Sequence, residues 1–147
     1  MKKELTIKIP SDFVFVRGVR VCVARIAHDF GFNEKELYQI ETIVDELCNN
    51  AIEHGCETTG QFVRIKCSFS ADEVCLKVMD KGTKNISIAN ILKKNTNRLK
   101  REIKRGALTK GKRGRGLIIV NKFADKISVK KYKNGLEVTA VKRKGRD

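Results

Sequence analysis

One long amphipathic segment, from Asn33 to Gly55, constrains the fold more than any other feature of this sequence. Asn33 with Glu36 three residues later is the pattern of a capping box, which predicts that a helix begins here, and Gly55 is expected to end it. Its apolar residues recur at spacings of three and four and predict one buried stripe: Leu37, Ile40, Val44, Leu47 and Ala51. A helix of about six turns that is apolar on one side only has to pack that side against a second layer.

Five segments alternate apolar and polar residues, as half-buried strands do, and are predicted to form that second layer. They are Leu5–Ile9, Phe62–Phe69, Val74–Val78, Lys126–Tyr132 and Leu136–Lys142. Ala71–Asp72 predicts the turn of a hairpin between the second and third segments. Asn134–Gly135 predicts the turn of a closing hairpin between the last two.

Further helices complete the predicted architecture. Ser11–Asp12 can cap a helix that Gly31 ends, another helix is predicted over about 88–103, and a third runs from Gly116 to Phe123. Strands in hairpins with helices between them predict an α/β two-layer sandwich, with helices on one face of a mixed, mostly antiparallel sheet. Neither a linker nor an internal repeat divides residues 1–147, so we expect a single domain with a frayed, charged tail from Arg143.

The charge of the chain is large and unevenly placed. The formal net charge is +15, and eleven of the residues from Ile91 to Arg115 are Lys or Arg, against Glu102 as the one acid. Such a charge favours polyanions or an acidic partner protein and says nothing about the fold. Nucleic acid is a disfavoured partner, because aromatic residues make up only 6% of the chain and no base-reading motif is present.

Other compositional signals exclude whole classes of protein. No apolar run approaches the roughly 20 residues that span a bilayer, and no apolar region follows the initial MKKELTIKIP, so we expect a cytoplasmic protein without a membrane segment. The five cysteines are odd in number and form no CxxC pair, which indicates reduced thiols and neither a disulfide framework nor a zinc site.

Three motifs can carry chemistry. On the long helix, Glu46 and Asn50 lie one turn apart on the same face, beside the apolar stripe. An amide oxygen is a hard ligand that suits Mg²⁺, and a carboxylate can take a proton from a nucleophile. Taken alone, the pair is as well explained by a solvated polar face of the helix.

The second and third motifs are glycine turns. Asp80-Lys81-Gly82 follows an apolar strand, where the aspartate can accept a hydrogen bond from an exocyclic amine and the glycine lets the chain approach a flat ligand. The run from Lys112 to Leu117, KRGRGL, leads into a helix, whose amides and dipole can seat a phosphate. By themselves they read as an ordinary turn and a flexible loop.

In this order and placement, the three motifs resemble the GHKL ATP-binding superfamily, which includes gyrase and the histidine kinases. Within it the chain is most similar to the anti-sigma regulatory factor branch of serine/threonine protein kinases. The resemblance rests on IPSDFVFVRGVRVCVARIAHDFGF, VDELCNNAIEHG and RGRGLIIVNKFADKISV, and extends from about Leu5 to Lys142. It implies the GHKL (Bergerat) fold, with ATP and Mg²⁺ as cofactors.

The resemblance also assigns roles to residues. It implies that Asn50 coordinates Mg²⁺, that Glu46 is the general base, and that Asp80 binds the adenine amine while Gly82 lets the adenine pocket close. It implies a phosphate site in which Gly114 and Gly116 act through their backbone, with this set of neighbours: Lys112, Arg113, Arg115 and Leu117. An ATP lid is expected within about 84–113.

The implied function is partner switching. Such a protein would phosphorylate an anti-sigma factor antagonist, would sequester a sigma factor, and could form a homodimer. One departure is Lys84, which stands where the family pattern has a second glycine. Together with the basic lid, it keeps open a second function, a non-catalytic module that binds partners on a degenerate ATP-binding fold.

Overall fold

The computed structural model of the chain describes residues 1–55, 61–80, 112–132 and 135–145. The strands are β1 Lys3–Pro10, β2 Phe62–Phe69, β3 Glu73–Met79, β4 Lys126–Tyr132 and β5 Gly135–Arg143. The helices are α1 Val16–Asp29, α2 Glu34–Asn50 and α3 Lys112–Phe123. A 3₁₀ turn, Phe13–Phe15, precedes α1, and a π-helical turn, Ala51–Gly55, follows α2.

The five strands form one sheet in the order β1-β2-β3-β5-β4. Helix α2 packs against α1 and against α3, and the helices lie on one side of the sheet. The predicted α/β two-layer sandwich is therefore confirmed. Every pairing between the described strands is antiparallel, so this sheet is antiparallel throughout rather than mixed. The helix predicted over about 88–103 lies outside the described residues.

The core fills the space between the helices and one face of the sheet. Alternate residues of the central strands are buried, as the period of a strand requires: Val63, Ile65, Cys67, Phe69, Val74, Leu76 and Val78. The predicted stripe of α2 meets them. Ile40, Val44 and Leu47 are at most 2% exposed, while Leu37 is partly buried against the same core. The long amphipathic segment thus closes the sandwich as predicted.

The turn between α1 and α2 is defined by its caps. Gly31 has φ +93°, a left-handed conformation that favours glycine, and the Phe32 N–H donates to the carbonyl of Ala27 at 3.3 Å, as in a Schellman motif. Two residues later, Asn33 and Glu36 form both hydrogen bonds of a capping box, at 2.8 and 2.9 Å. The predicted end of α1 and start of α2 are confirmed.

The tail predicted to fray from Arg143 is instead attached to this turn. Arg143 is the last residue of β5, and Lys144 Nζ donates to the carbonyl of Phe30 at 2.9 Å. The backbone N–H of Gly145 donates to the Glu36 carboxylate. For residues 143–145 the prediction was wrong, because these groups meet a carbonyl and a carboxylate that helix termini leave available. Residues 146–147 lie outside the described residues. We call the region formed by residues 30–36 and 144–145 the anchored end.

Candidate functional site

The topology brings Asn50, Asp80 and the start of α3 to the end of the sandwich opposite the anchored end. Helix α2 starts at the anchored end and has 17 residues, so Asn50 lies roughly 25 Å away along its axis. Strand β3 also starts there, because the Lys144 N–H donates to the carbonyl of Asp72 at 2.8 Å. It runs for seven residues before Asp80, which is roughly 23 Å of strand.

Helix α3 is oriented so that its start faces the same region. After its last residue, Phe123, the Asp125 N–H donates to the carbonyl of Val141 at 2.8 Å, close to the end of β5 and hence to the anchored end. Its first residue, Lys112, therefore lies toward the opposite end. We call this region, which gathers Asn50, Asp80 and the start of α3, the motif end.

Glu46 and Asn50 lie beside the buried stripe, as predicted. Both are half-buried, whereas Leu47 and Cys48 between them are at most 2% exposed. Neither polar side chain makes a hydrogen bond or an ion pair with the described residues. The pKa of Glu46 is raised above its ordinary value of 4.5, first by desolvation through burial and then by the negative charge of Asp45.

Asp45 is directed to a different neighbour. Its Oδ2 accepts from Arg20 of α1 at 2.7 Å, and its Oδ1 is buried with no hydrogen-bond partner in the described part of the chain. Asp45 and Glu46 are consecutive and about 100° apart around the helix, so they do not form a paired-carboxylate site. The Asp45 charge nonetheless contributes to the raised pKa of Glu46 and makes that carboxylate a readier proton acceptor.

The helix that carries these residues changes its geometry directly after Asn50. The α-helix ends there, and Ala51–Gly55 form a π turn, whereas the sequence predicted one regular helix up to Gly55. Ala51 and Ile52 are consecutive and are both buried, at 4% and 7% exposure. Single π turns are frequent at functional sites. Here the turn makes Asn50 the last residue of the regular helix.

Asp80 is only 4% exposed at the end of β3, and its N–H donates to the carbonyl of Leu136 at 3.1 Å. Gly135, the preceding residue of β5, lies directly against it. A Cβ atom at position 135 would overlap the Asp80 carbonyl oxygen and would lie 2.8 Å from Asp80 Oδ1. Only glycine fits here without displacing the aspartate.

Gly135 is the residue at this site that the sequence analysis missed. Asn134–Gly135 predicted a hairpin turn, yet Gly135 is already the first residue of β5, paired with Tyr132. A turn dipeptide explains a glycine locally, and no local pattern could reveal that the strand beside it carries Asp80. Gly82 and Lys84, with most of the expected lid, lie outside the described residues.

The predicted phosphate loop differs in its boundary. Helix α3 begins at Lys112, not near Gly116, so the glycines of the motif lie inside its first turns. The first N–H groups of a helix lack an acceptor within it, and they include those of Lys112, Arg113 and Gly114. The N–H of Gly116 falls within the regular i→i−4 pattern. The phosphate-binding roles of Gly114 and Gly116 stay predictions, and of their two N–H groups the one of Gly114 lacks an acceptor within α3. The side chains of residues 112–117, including Arg115 and Leu117, are not among those described.

The described residues contain no group of three or more His, Cys, Asp and Glu that could hold a metal ion. An amide such as Asn50 can still contribute one ligand to a Mg²⁺ whose other ligands are phosphate oxygens and water. The four described cysteines are free, and burial raises the pKa of Cys48 and Cys67 to about 12. None of the described helices is long and apolar enough to cross a membrane.

Comparison with known proteins identifies the family and the fold. A family model for the histidine kinase-like ATPase domain matches residues 9–142. Among solved structures, the chain is similar to the RsbU and RsbW domains of Rv1364c from Mycobacterium tuberculosis, with a TM-score of 0.66 and 17% identity. That match covers 99% of this chain and 33% of the other, so this chain spans about a third of its length. No curated protein matches. The chain belongs to the family of histidine kinase-like ATPase domains.

Proposed function

We propose that this chain is an ATP-dependent serine/threonine protein kinase and anti-sigma factor. It would phosphorylate an anti-sigma factor antagonist and sequester a sigma factor. The observation that carries the proposal is that α2 with Glu46 and Asn50 ends, β3 with Asp80 ends and α3 begins at the same end of the sandwich, the motif end. The family supports ATP binding. The branch is supported by the sequence resemblance and by the fold shared with an RsbW domain.

The nucleotide site would draw on all three elements. Asp80, which follows β3 and donates its N–H to Leu136 of β5, would accept a hydrogen bond from the exocyclic amine of adenine. The positive end of α3 would receive the phosphates through the amides of its first turn. Asn50 makes no hydrogen bond or ion pair with the described residues, which leaves its amide oxygen available as a ligand of Mg²⁺. Bound Mg²⁺ would neutralise charge on the phosphates.

The chemistry of this chain would centre on Glu46. The raised pKa of its carboxyl brings it closer to that of a neutral-pH base, and its side chain makes no competing ion pair with the described residues. It would accept the proton of the serine or threonine hydroxyl as the hydroxyl oxygen bonds to the γ-phosphorus of ATP and ADP leaves. The start of α3 would hold the phosphates, and Asn50 would hold the Mg²⁺. Phosphoryl transfer depends mainly on such positioning and on charge neutralisation. We further propose a cytoplasmic protein that can dimerise.

Calorimetric titration with Mg-ATP tests the nucleotide site. Wild type should bind, Asn50→Ala should bind much more weakly, and Gln39→Ala, near the other end of α2, should bind as wild type does. If the wild-type protein gives no heat of binding, or if Asn50→Ala binds normally, the assigned site is wrong.

A second measurement separates catalysis from partner binding. Transfer of labelled γ-phosphate to a candidate antagonist should be lost in Glu46→Gln, with Mg-ATP affinity retained, and should persist in the matched control Glu41→Gln on the same helix. If Glu46→Gln transfers phosphate at the wild-type rate, Glu46 is not the base. If wild type binds ATP and the antagonist without any transfer, the non-catalytic module becomes the better description.

A further inference from the structure

The face of the sheet turned away from the helices carries a cluster of cations that have no ion-pair partner among the described residues. Because side chains alternate along a strand, the residues between the buried positions point to this open face. On its first rung Lys8 of β1 lies directly opposite Arg64 of β2, and on the next Lys66 of β2 lies opposite Lys77 of β3. We call these four residues the basic quartet.

Like charges held directly opposite each other on adjacent strands destabilise a sheet. Their side chains start about 5 Å apart, and the described part of the chain offers no ion-pair partner for any of the four. Another pair of strands in the same sheet carries opposite charges on this face. Lys130 of β4 pairs with Glu137 of β5 at 3.0 Å across a rung of this face. The quartet thus retains an electrostatic cost that a neighbouring pair of strands avoids.

A hollow of about 300 Å³ opens beside the quartet. Its polar lining comprises Lys2, Glu4, Thr6, Lys66, Ser68 and Lys77, of which Glu4 is the one acid. The volume is at the small end for a ligand site and admits a side chain or two rather than a cofactor. Hydroxyl and ammonium groups around this hollow can donate hydrogen bonds to carboxylates. Such charge-assisted hydrogen bonds are stronger than bonds between neutral groups.

We infer that the open face of β1, β2 and β3 docks an acidic segment of a partner protein, whose carboxylates are received by the basic quartet. An extended segment repeats its side chains on one side about every 7 Å, which matches the spacing of Arg64 and Lys66 along β2. This surface lies outside the proposed nucleotide site, so the inference does not depend on ATP binding.

Other occupants fit less well. A second copy related by a twofold axis would set the same cations against each other, in a chain of net charge +15. Sheets that bind single-stranded nucleic acid stack bases on aromatic side chains. Among the described side chains of this face the exposed aromatic is Phe62, and the Lys8 ammonium lies 4.4 Å from its ring centroid. Stable binding to a membrane surface needs buried apolar area as well as basic charge, and among the described residues of this face Phe62 is the one large exposed apolar side chain.

The test uses a fluorescein-labelled decapeptide of alternating glutamate and serine, titrated with the full chain and followed by fluorescence anisotropy at low ionic strength. Lys66→Gln/Lys77→Gln should weaken binding by about tenfold. The matched control Lys35→Gln/Lys122→Gln removes the same charge from exposed positions on α2 and α3, and should weaken it less than about twofold, as a general charge effect.

Thermal unfolding distinguishes a loss of binding from a loss of folding. Because Lys66→Gln/Lys77→Gln removes a like-charge pair, its unfolding midpoint should equal or exceed that of wild type, which excludes misfolding as the cause of weaker binding. Equal weakening in both double variants would overturn the inference. So would tighter binding, through the same two lysines, of a DNA duplex or of phosphatidylserine vesicles, or a change in sedimentation that shows the face to be occupied by a second copy.

Discussion

The anchored end and the motif end use polar residues in opposite ways. At the anchored end, Asn33 and Glu36 exchange hydrogen bonds, and Lys144 and Gly145 add two more to Phe30 and Glu36. At the motif end, α2 ends at Asn50 and a π turn follows. The amide of Asn50 and the carboxylate of Glu46 make no such bonds with the described residues. The anchored end is held together by its internal hydrogen bonds, whereas the motif end leaves the side chains of Glu46 and Asn50 available to a ligand.

The difference is energetic as well as geometric. A satisfied cap contributes about 1 kcal/mol to stability, whereas a partly desolvated carboxylate such as Glu46 opposes folding in its charged form. Asp45, with one buried oxygen that has no partner among the residues that the structure describes, adds to that cost. Proteins commonly retain such costs where function requires them. Substitutions at the two ends should therefore separate stability from nucleotide binding.

The largest effect is expected at Gly135. In Gly135→Ala the new methyl group would overlap the Asp80 backbone, so either β3 and β5 separate locally or Asp80 moves, at a cost of about 2–3 kcal/mol or more. The matched control is Gly18→Ala in α1, where a methyl group meets nothing within 4 Å and should stabilise the helix by up to about 1 kcal/mol. Denaturant unfolding measures both.

Nucleotide selectivity shows whether Gly135 acts on the site through Asp80. ITP lacks the exocyclic amine that Asp80 is proposed to bind, so Gly135→Ala should reduce ATP affinity by about tenfold or more while changing ITP affinity less. A variant that folds and keeps the wild-type ratio of the two affinities would show that the glycine serves packing alone. Wild-type protein that binds neither nucleotide would instead refute the proposed site.

A smaller loss of stability, without loss of binding, is expected at the anchored end. Glu36→Ala removes one side of the capping box and the acceptor of the Gly145 N–H, and should cost about 1–2 kcal/mol. Because α2 separates this end from Asn50 by roughly 25 Å, Mg-ATP affinity should be unchanged. The exposed neighbour Glu34→Ala is the control. Weakened ATP binding in Glu36→Ala, at a temperature where it is folded, would contradict the separation of the two ends.

The sequence was a reliable guide where the determinant of a structure is local. The capping box at Asn33, the glycine at 31 and the alternation of Phe62–Phe69 each act through neighbouring residues, and each prediction was confirmed. The errors concern contacts between distant segments. Nothing near Arg143 indicates that Lys144 reaches Phe30, and nothing near Gly135 indicates Asp80. The candidate site residues lie toward one end because of how the helices and strands are arranged in the fold, and no local pattern in the sequence contains that arrangement.

The smallest effect on stability, and one of opposite sign, is expected at Glu46. Because its pKa in the folded protein is raised, the folded state binds its proton more tightly than the unfolded state does. The free energy of unfolding therefore falls as the pH rises from the ordinary value of 4.5 through the raised value, and the loss is complete above it. Glu46→Gln removes this loss, so it should be more stable than wild type at neutral pH by less than about 1 kcal/mol, because solvent screens a half-exposed carboxylate.

The pH dependence of the difference distinguishes this cause from a packing effect. Wild type and Glu46→Gln should have the same unfolding free energy at acidic pH, where the carboxyl is neutral in both states, and should diverge as the pH rises. Phosphate transfer by wild type should increase over the same range, since the base must be ionised. A stability difference that is constant with pH would assign it to packing. If Glu46→Gln is both less stable than wild type and inactive, then Glu46 stabilises the fold. The proposed contrast between the two ends would then be wrong.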